Sequence, residues 1–120
     1  MPALAHTHTL CPPPQDEKIL LLKQPFGIVV GICPWNFPLF VAARKIAPSL
    51  VTGNCCIVKP SQFTPNTTME FMRLVHEHVG LPKGVLNMVN GAGRGELGNT
   101  LVSHPAVGVV SLTGSLGAGI

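Results

Sequence analysis

The chain has 120 residues, enough for one domain with a core but small for a multi-layer enzyme. Only 11% of residues are charged and 46% are hydrophobic, where a free-standing soluble domain carries about a quarter charged residues, and the formal charge of +3 is scattered without a basic block or interleaved aromatics. That pattern excludes nucleic-acid binding. It excludes a membrane-spanning helix too, because Lys23, Pro25, Pro34, Pro38, Arg44 and Lys45 interrupt every apolar stretch well before the ~20 residues a span needs. What remains is a set of strands and helices belonging to a larger protein whose other parts would cover them.

The four cysteines, Cys11, Cys33, Cys55 and Cys56, lack metal-ligand spacing, and adjacent strand residues such as Cys55 and Cys56 point to opposite faces. They read as buried thiols in a reducing, cytoplasmic setting. The apolar start, Met1 to Ala5, is too short for a secretory signal. Residues 1–18 read as a disordered or improvised tail, Pro-rich around Pro12-Pro13-Pro14. His6 and His8 are solvated there, since a structural zinc site wants four ligands. Residues 19–120 form the folded unit, and Ile19 to Leu22 read as an edge strand leading into Gly27.

Gly27 to Cys33 has strand character and must stop at Pro34 and Pro38, which fix the chain around Trp35 and Asn36. From Leu39 to Leu50 the apolar positions suit a mostly buried helix that ends at Gly53-Asn54. Cys55 to Val58 is the next strand and delivers Lys59-Pro60-Ser61. Strand, helix and strand together make a βαβ unit. Thr64 is placed to cap a second helix with Pro65 at its first position. Its Met69, Phe71, Met72, Leu74, Val75 and Val79 stripe is core, and Gly80 closes it. His76 and His78 diverge on that helix and read as surface residues.

Val85 to Val89 is a third strand. It leads into Gly91-Ala92-Gly93-Arg94-Gly95-Glu96-Leu97-Gly98, whose last six residues spell G-x-G-x-x-G between a strand and a short helix, Leu97 to Val102. Either Gly95 and Gly98 approach a cofactor phosphate, or they serve close packing of a βα turn; the acidic residue expected about twenty positions on is missing. A fourth strand, Val107 to Leu112, runs into Thr113-Gly114-Ser115. There a helix start with its free N–H groups and two hydroxyls makes an anion site. Only one turn of that helix, Leu116 to Ile120, is present, so its dipole is weak.

Pro34-Trp35-Asn36-Phe37-Pro38, Thr52-Gly53-Asn54, Val58-Lys59-Pro60-Ser61 and Leu112-Thr113-Gly114-Ser115 together resemble the cofactor-binding half of the aldehyde dehydrogenase family, in order and in spacing. The likeness covers residues 19–120, and its nearest look is to the lactaldehyde dehydrogenase branch. It implies a truncated Rossmann-like α/β fold, a parallel sheet of about four strands with flanking helices. It implies NAD or NADP as cofactor and a small aldehyde as substrate of the intact family.

By that resemblance Asn36 is the catalytic residue that carries over, its amide donating to the oxyanion of the intermediate. Its plainer alternative is a turn Asn serving local backbone. Ile32, Pro34 and Trp35 would line the cofactor groove, Lys59 would hold the adenosine ribose beside Ser61, and Thr113, Gly114 and Ser115 would meet the pyrophosphate. Lys59 could instead be a solvated Lys, and Lys45 matches a Lys near the family's active site but could equally be a plain surface residue. Gln62 stands where NAD-preferring relatives have Glu; an amide does not repel a 2′-phosphate, so strict NAD preference is not expected. The family's nucleophilic Cys and general-base Glu belong to sequence beyond these residues, and no local thiol has an activating partner. The chain is therefore expected to be an aldehyde dehydrogenase fragment without turnover of its own. The rival readings are an interaction fragment that pairs with a full-length homologue and a standalone dinucleotide-binding module.

Overall fold

A computed structural model describes residues 22–119. The expected tail, with His6, His8 and Cys11, and most of the expected edge strand at Ile19 to Leu22 lie outside the described residues. Residues 22–26 carry no strand. The first strand, β1 (Ile28–Ile32), is followed by α1 (Pro38–Val51), β2 (Cys55–Lys59), α2 (Pro65–His78), β3 (Leu86–Met88), α3 (Glu96–Ser103), β4 (Val107–Leu112) and α4 (Leu116–Gly119). All strand pairs are parallel, in the order β3-β2-β1-β4. Succession runs outward from β1 to β3 and then reverses, so β4 lies on the other side of β1. That reversal is a topological switch point, where open α/β sheets bind ligands at their carboxyl ends.

Alternation of side chains assigns the two faces. Gly31, Val58 and Ser111 are register partners and share the face covered by α1, whose Lys45 stem lies across Gly31: a Cβ added there would be 3.1 Å from Lys45 Cδ. The main core sits on this face, formed by Cys33, Ala42, Ile46, Cys56 and Val58 with Phe71, Met72 and Leu86 packed against it. Ile32, Lys59 and Leu112 are register partners on the opposite face. Helix α3 lies against β4 there and buries Leu101.

Local chemistry explains the boundaries. Helix α1 starts with Pro38 at its first position and ends in Gly53, whose φ of +83° favours glycine. Asn54 then ties three elements together: its Oδ1 accepts the Gly27 N–H at 3.0 Å, and its Nδ2 donates to Ser49 O at 3.3 Å and to Thr52 Oγ1 at 2.8 Å. In β4, Gly108 is the extra residue of a bulge opposite Ile28/Val29. Only glycine fits, because a Cβ would lie 2.4 Å from Phe26 O.

Several expectations are corrected. The third strand is three residues, Leu86–Met88, shorter than Val85 to Val89, although the Val89 N–H still reaches Val58 O at 2.9 Å. Helix α1 is not mostly buried. It buries a narrow stripe of Ala42, Lys45, Ile46 and Ser49 while Leu39 and Phe40 face outward, because only one side meets the sheet. Thr64 occupies the N-cap of α2 but makes no side-chain cap bond, and its hydroxyl is buried without a partner, as is that of Thr68. In the α2 stripe, Phe71 and Met72 join the core, whereas Met69 is exposed. Both His76 and His78 are exposed, and no metal-holding cluster occurs among the described residues.

Candidate dinucleotide rim and oxyanion loop

The carboxyl ends of β1, β2 and β4 finish level. Ile32 pairs with Lys59 on one side and Leu112 on the other. The ladder continues one bond past each tip, with the Cys33 N–H donating to Lys59 O at 3.0 Å and the Thr113 N–H to Ile32 O at 3.1 Å. Three loops therefore leave one rim side by side: the loop of residues 33–37 with Asn36, the turn after Lys59, and residues 113–115.

Lys59 is only 3% exposed, so it is a buried lysine and not a solvated one. Its Nζ donates to Pro60 O at 3.1 Å. Burial lowers its pKa, opposed by the neighbouring Cys33 thiolate form. The Gly-rich loop closes over it: a Cβ on Gly93 would be 3.6 Å from Lys59 Nζ. Gly98 lets α3 approach that loop, since a Cβ there would be 2.1 Å from Gly93 O. Gly95 has φ +101° and ψ −155°, a conformation essentially reserved for glycine. Gly98 thus serves helix packing, and Gly95 serves the turn. Together they hold a loop of low bulk against Lys59, so the residues present fit a cofactor ribose and phosphates.

Among the other expected residues, Ser61 and Gln62 form a local turn. The Ser61 hydroxyl oxygen accepts the Phe63 N–H at 3.3 Å, and Gln62 is exposed. Pro34 is half-buried and Trp35 is 64% exposed, so the indole stands free at the rim. Thr113 spends its N–H on the sheet ladder and keeps its hydroxyl for other partners. Gly114 and Ser115 follow exposed, and the Ser115 carbonyl accepts the Ala118 N–H at 3.0 Å.

Asn36 is exposed beside the N-terminus of α1, whose N-cap residue is Phe37. Around Asn36 stands a set of side chains that sequence reasoning passed over. Phe37 and Phe40 meet edge to face at 6.4 Å between centroids, and the Arg44 guanidinium lies 5.5 Å from the Phe40 ring. Their signal was the one-turn spacing from Phe37 through Phe40 to Arg44.

Behind that wall Lys45 is 8% exposed and donates to Ser111 Oγ at 2.9 Å, joining α1 to β4 across Gly31. The surface role left open for it is overturned, because the glycine gives its stem room to lie under the helix. Burial lowers its pKa. A cavity of about 280 Å³ opens there, lined by Val41, Arg44, Lys45, Ser111, Leu112 and Thr113. A larger groove of about 420 Å³ runs along the outer edge of β3, away from the rim. Cys33 and Cys56 are buried, and burial pushes both thiols up, against the pull of Lys45 and Lys59 on Cys33.

A level parallel rim at a switch point, with a Gly-rich loop against a lysine, defines a Rossmann-like α/β fold. The model of the aldehyde dehydrogenase family matches residues 3–120, and the chain belongs to that family. It is 53% identical over 104 residues to the lactaldehyde dehydrogenase of Escherichia coli, covering 86% of this chain and 21% of that protein. It is 46% identical over 103 residues to the D-glyceraldehyde dehydrogenase (NADP(+)) of Picrophilus torridus, covering 86% and 20%. The crystal structure of lactaldehyde dehydrogenase from Escherichia coli matches with a TM-score of 0.81 at 49% identity over 88% of this chain and 22% of that one. That of betaine aldehyde dehydrogenase from Staphylococcus aureus, in complex with NAD+, gives 0.78 at 46% over 82% and 19%. The chain spans about one-fifth of the length of the curated relatives it matches. No helix among the described residues is long and apolar enough to cross a membrane.

Proposed function

We propose that these residues are the cofactor-holding rim and oxyanion loop of an NAD(P)-dependent aldehyde dehydrogenase that oxidises a small aldehyde to a carboxylic acid in the cytoplasm. The observation that carries this reading is the level ending of β1, β2 and β4, which brings Asn36, Lys59 and Ser115 out of one edge.

In that role Lys59 donates to the adenosine ribose hydroxyls, with spare donors beyond its bond to Pro60 O. The hydroxyls of Thr113 and Ser115 meet the pyrophosphate beside Gly114. Ile32, Pro34 and Trp35 form the apolar side of the groove. Bound there, the nicotinamide ring supplies the hydride acceptor. The amide of Asn36 donates to the oxygen of the substrate carbonyl as negative charge builds on it. Neither Cys33 nor Cys56 serves as nucleophile, since each is buried and held toward its protonated form. The attacking thiolate and the base for hydrolysis come from polypeptide outside the 120 residues, so this chain alone binds without turning over.

Quenching of Trp35, the only tryptophan, tests the reading directly. Titration of the 120-residue chain with NAD and with NADP is expected to quench it, and Lys59→Met to weaken the effect at least about tenfold. Absence of quenching at millimolar concentration of either dinucleotide overturns the rim. Reduced nicotinamide appearing when an aldehyde is added would overturn the absence of turnover.

A further inference from the structure

We infer that the cavity between α1 and β4 captures small aldehydes that carry a carboxylate, Lys45 forming an imine with the aldehyde carbon and Arg44 pairing with the carboxylate. This activity stands apart from the proposed dinucleotide rim and needs no cofactor. The cavity, about 280 Å³, lies just under the ~300–1,000 Å³ of pockets for drug-sized molecules, so it suits a ligand of a few heavy atoms. Arg44 and Lys45 line it together with the hydroxyls of Ser111 and Thr113, and Val41 and Leu112 are its apolar walls. No side-chain carboxylate answers the two basic groups. Those among the described residues are Glu70 and Glu77, both paired with Arg73 on α2, and Glu96, exposed at the start of α3, which lies against β4 on the other face of the sheet. A ligand that brings its own negative charge complements the site.

Lys45 is placed to react. Its stem crosses Gly31, only 8% of the residue is exposed, and its Nζ donates to the neutral Ser111 Oγ at 2.9 Å. The titratable groups that act on it are the Cys33 thiol at the end of β1 and Arg44 beside it on α1, while Ser111 and Thr113 of β4 bring no charge. Burial is the largest influence and lowers its pKa, opposed by the Cys33 thiolate form and assisted by Arg44. A desolvated lysine amine next to another cationic group is a nucleophile toward carbonyl carbon. Lys59, also buried, gives its Nζ to Pro60 O and does not line this cavity.

The step balances without oxidant or reductant. The Nζ lone pair bonds to the aldehyde carbon as the carbonyl π bond opens onto oxygen, and a proton passes from nitrogen to that oxygen, with Ser111 Oγ in position to carry it. The hydroxyl so formed leaves with the second amine proton as water, and the C=N bond closes. Arg44 is exposed, with its guanidinium 5.5 Å from the Phe40 ring, and all ion pairs among the described residues lie on α2 without it. Its planar fork engages both oxygens of a carboxylate at once.

Reductive trapping tests this. The 120-residue chain is incubated near neutral pH with cyanoborohydride and either glyoxylate or the uncharged acetaldehyde, and the labelled lysines are located by peptide mass mapping. Glyoxylate is expected to label Lys45 at least about tenfold faster than the exposed Lys23 and Lys83. With rates expressed relative to Lys23, it should outpace acetaldehyde at Lys45 at least about fivefold. Both preferences are expected to vanish in urea, where the unfolded chain gives every lysine the same surroundings. Arg44→Ala, checked for its fold by circular dichroism, should bring the glyoxylate-to-acetaldehyde ratio to about one. Labelling of Lys45 no faster than that of Lys23 and Lys83 overturns the inference, as does a preference that persists in urea or a ratio unmoved in folded Arg44→Ala. None of these outcomes bears on the dinucleotide rim, because the assay contains no dinucleotide.

Discussion

The two halves of the sheet are built to different standards. In β2, Cys56 and Val58 are buried under a helix pair that contributes Ile46, Phe71 and Met72, and Lys59 is buried on the opposite face beneath the Gly-rich loop. In β4 no residue is fully buried, and half-buried side chains alternate with exposed ones from Val107 to Leu112. The β1–β2 half has a helix layer across it, whereas β4 has the eight residues of α3 on one face and the middle of α1, through Lys45, on the other. The comparison teaches where the rim gets its rigidity. Lys59 ends a strand anchored by that core, whereas Thr113 to Ser115 are held by little more than the ladder bond from Thr113 and the Lys45–Ser111 bridge.

The largest expected effect tests that contrast directly. Ile46→Ala opens a cavity in the covered half and should cost about 2–5 kcal/mol in urea denaturation. Val110→Ala, on a residue 37% exposed, should cost well below about 1 kcal/mol. Equal losses would mean that β4 is as well covered as β2. Ser111→Ala removes the acceptor of the Lys45 ammonium and leaves that group buried without its partner. A loss of about 1.5–3 kcal/mol is expected, because hydrogen bonds to charged groups sit in that range. Lys45→Met in the same background should restore most of it, since an apolar side chain of similar length needs no partner.

A smaller cost, about 1 kcal/mol, is expected for Gly95→Ala from the positive φ alone. The readout that separates a loop role from mere stability is weaker dinucleotide quenching of Trp35 at temperatures where the variant is fully folded. The pH dependence of stability should show two opposing trends. Folded-state depression of the Lys45 and Lys59 pKa values means that the unfolded chain binds more protons, so their contribution is lost as pH falls through the folded values and is complete above about 10.4. The raised thiols of Cys33 and Cys56 act the other way, with stability lost as pH rises above about 8.5. Removing one thiol by Cys33→Ala should therefore make stability climb more steeply between about pH 8.5 and 10.4. An unchanged slope, measured by denaturation at each pH, would show that Cys33 does not feel its burial. The smallest effect belongs to Glu70→Ala: this fully exposed partner of Arg73 on α2 should leave the unfolding midpoint unmoved.

Much of the fold was legible because its punctuation is local. Pro34 and Pro38 stop β1 and open α1, Gly53 and Gly80 carry the left-handed turns after two helices, and β4 runs over the expected Val107–Leu112. Where the reading slipped, the deciding contact was remote in sequence. Thr64 resembles a cap, yet its hydroxyl is turned into the protein and makes no bond there. The expected third strand spans five residues, but register partners on β2 exist only for Leu86 to Met88, with Val85 and Val89 each keeping one ladder bond.

The order of elements, the places where strands give way to loops, and membership of the motifs around Asn36, Lys59 and Ser115 were determined by the sequence alone, since propensity, periodicity and turn chemistry act over a few neighbours. Only the tertiary structure decided that Lys45 and Lys59 are both buried, on opposite faces of one sheet, and that the Gly-rich loop at Gly93 closes over one of them. Burial and juxtaposition depend on register between strands up to 80 residues apart, as between Ile32 and Leu112, and on glycines such as Gly31 and Gly93 whose missing side chains make room for another residue's stem.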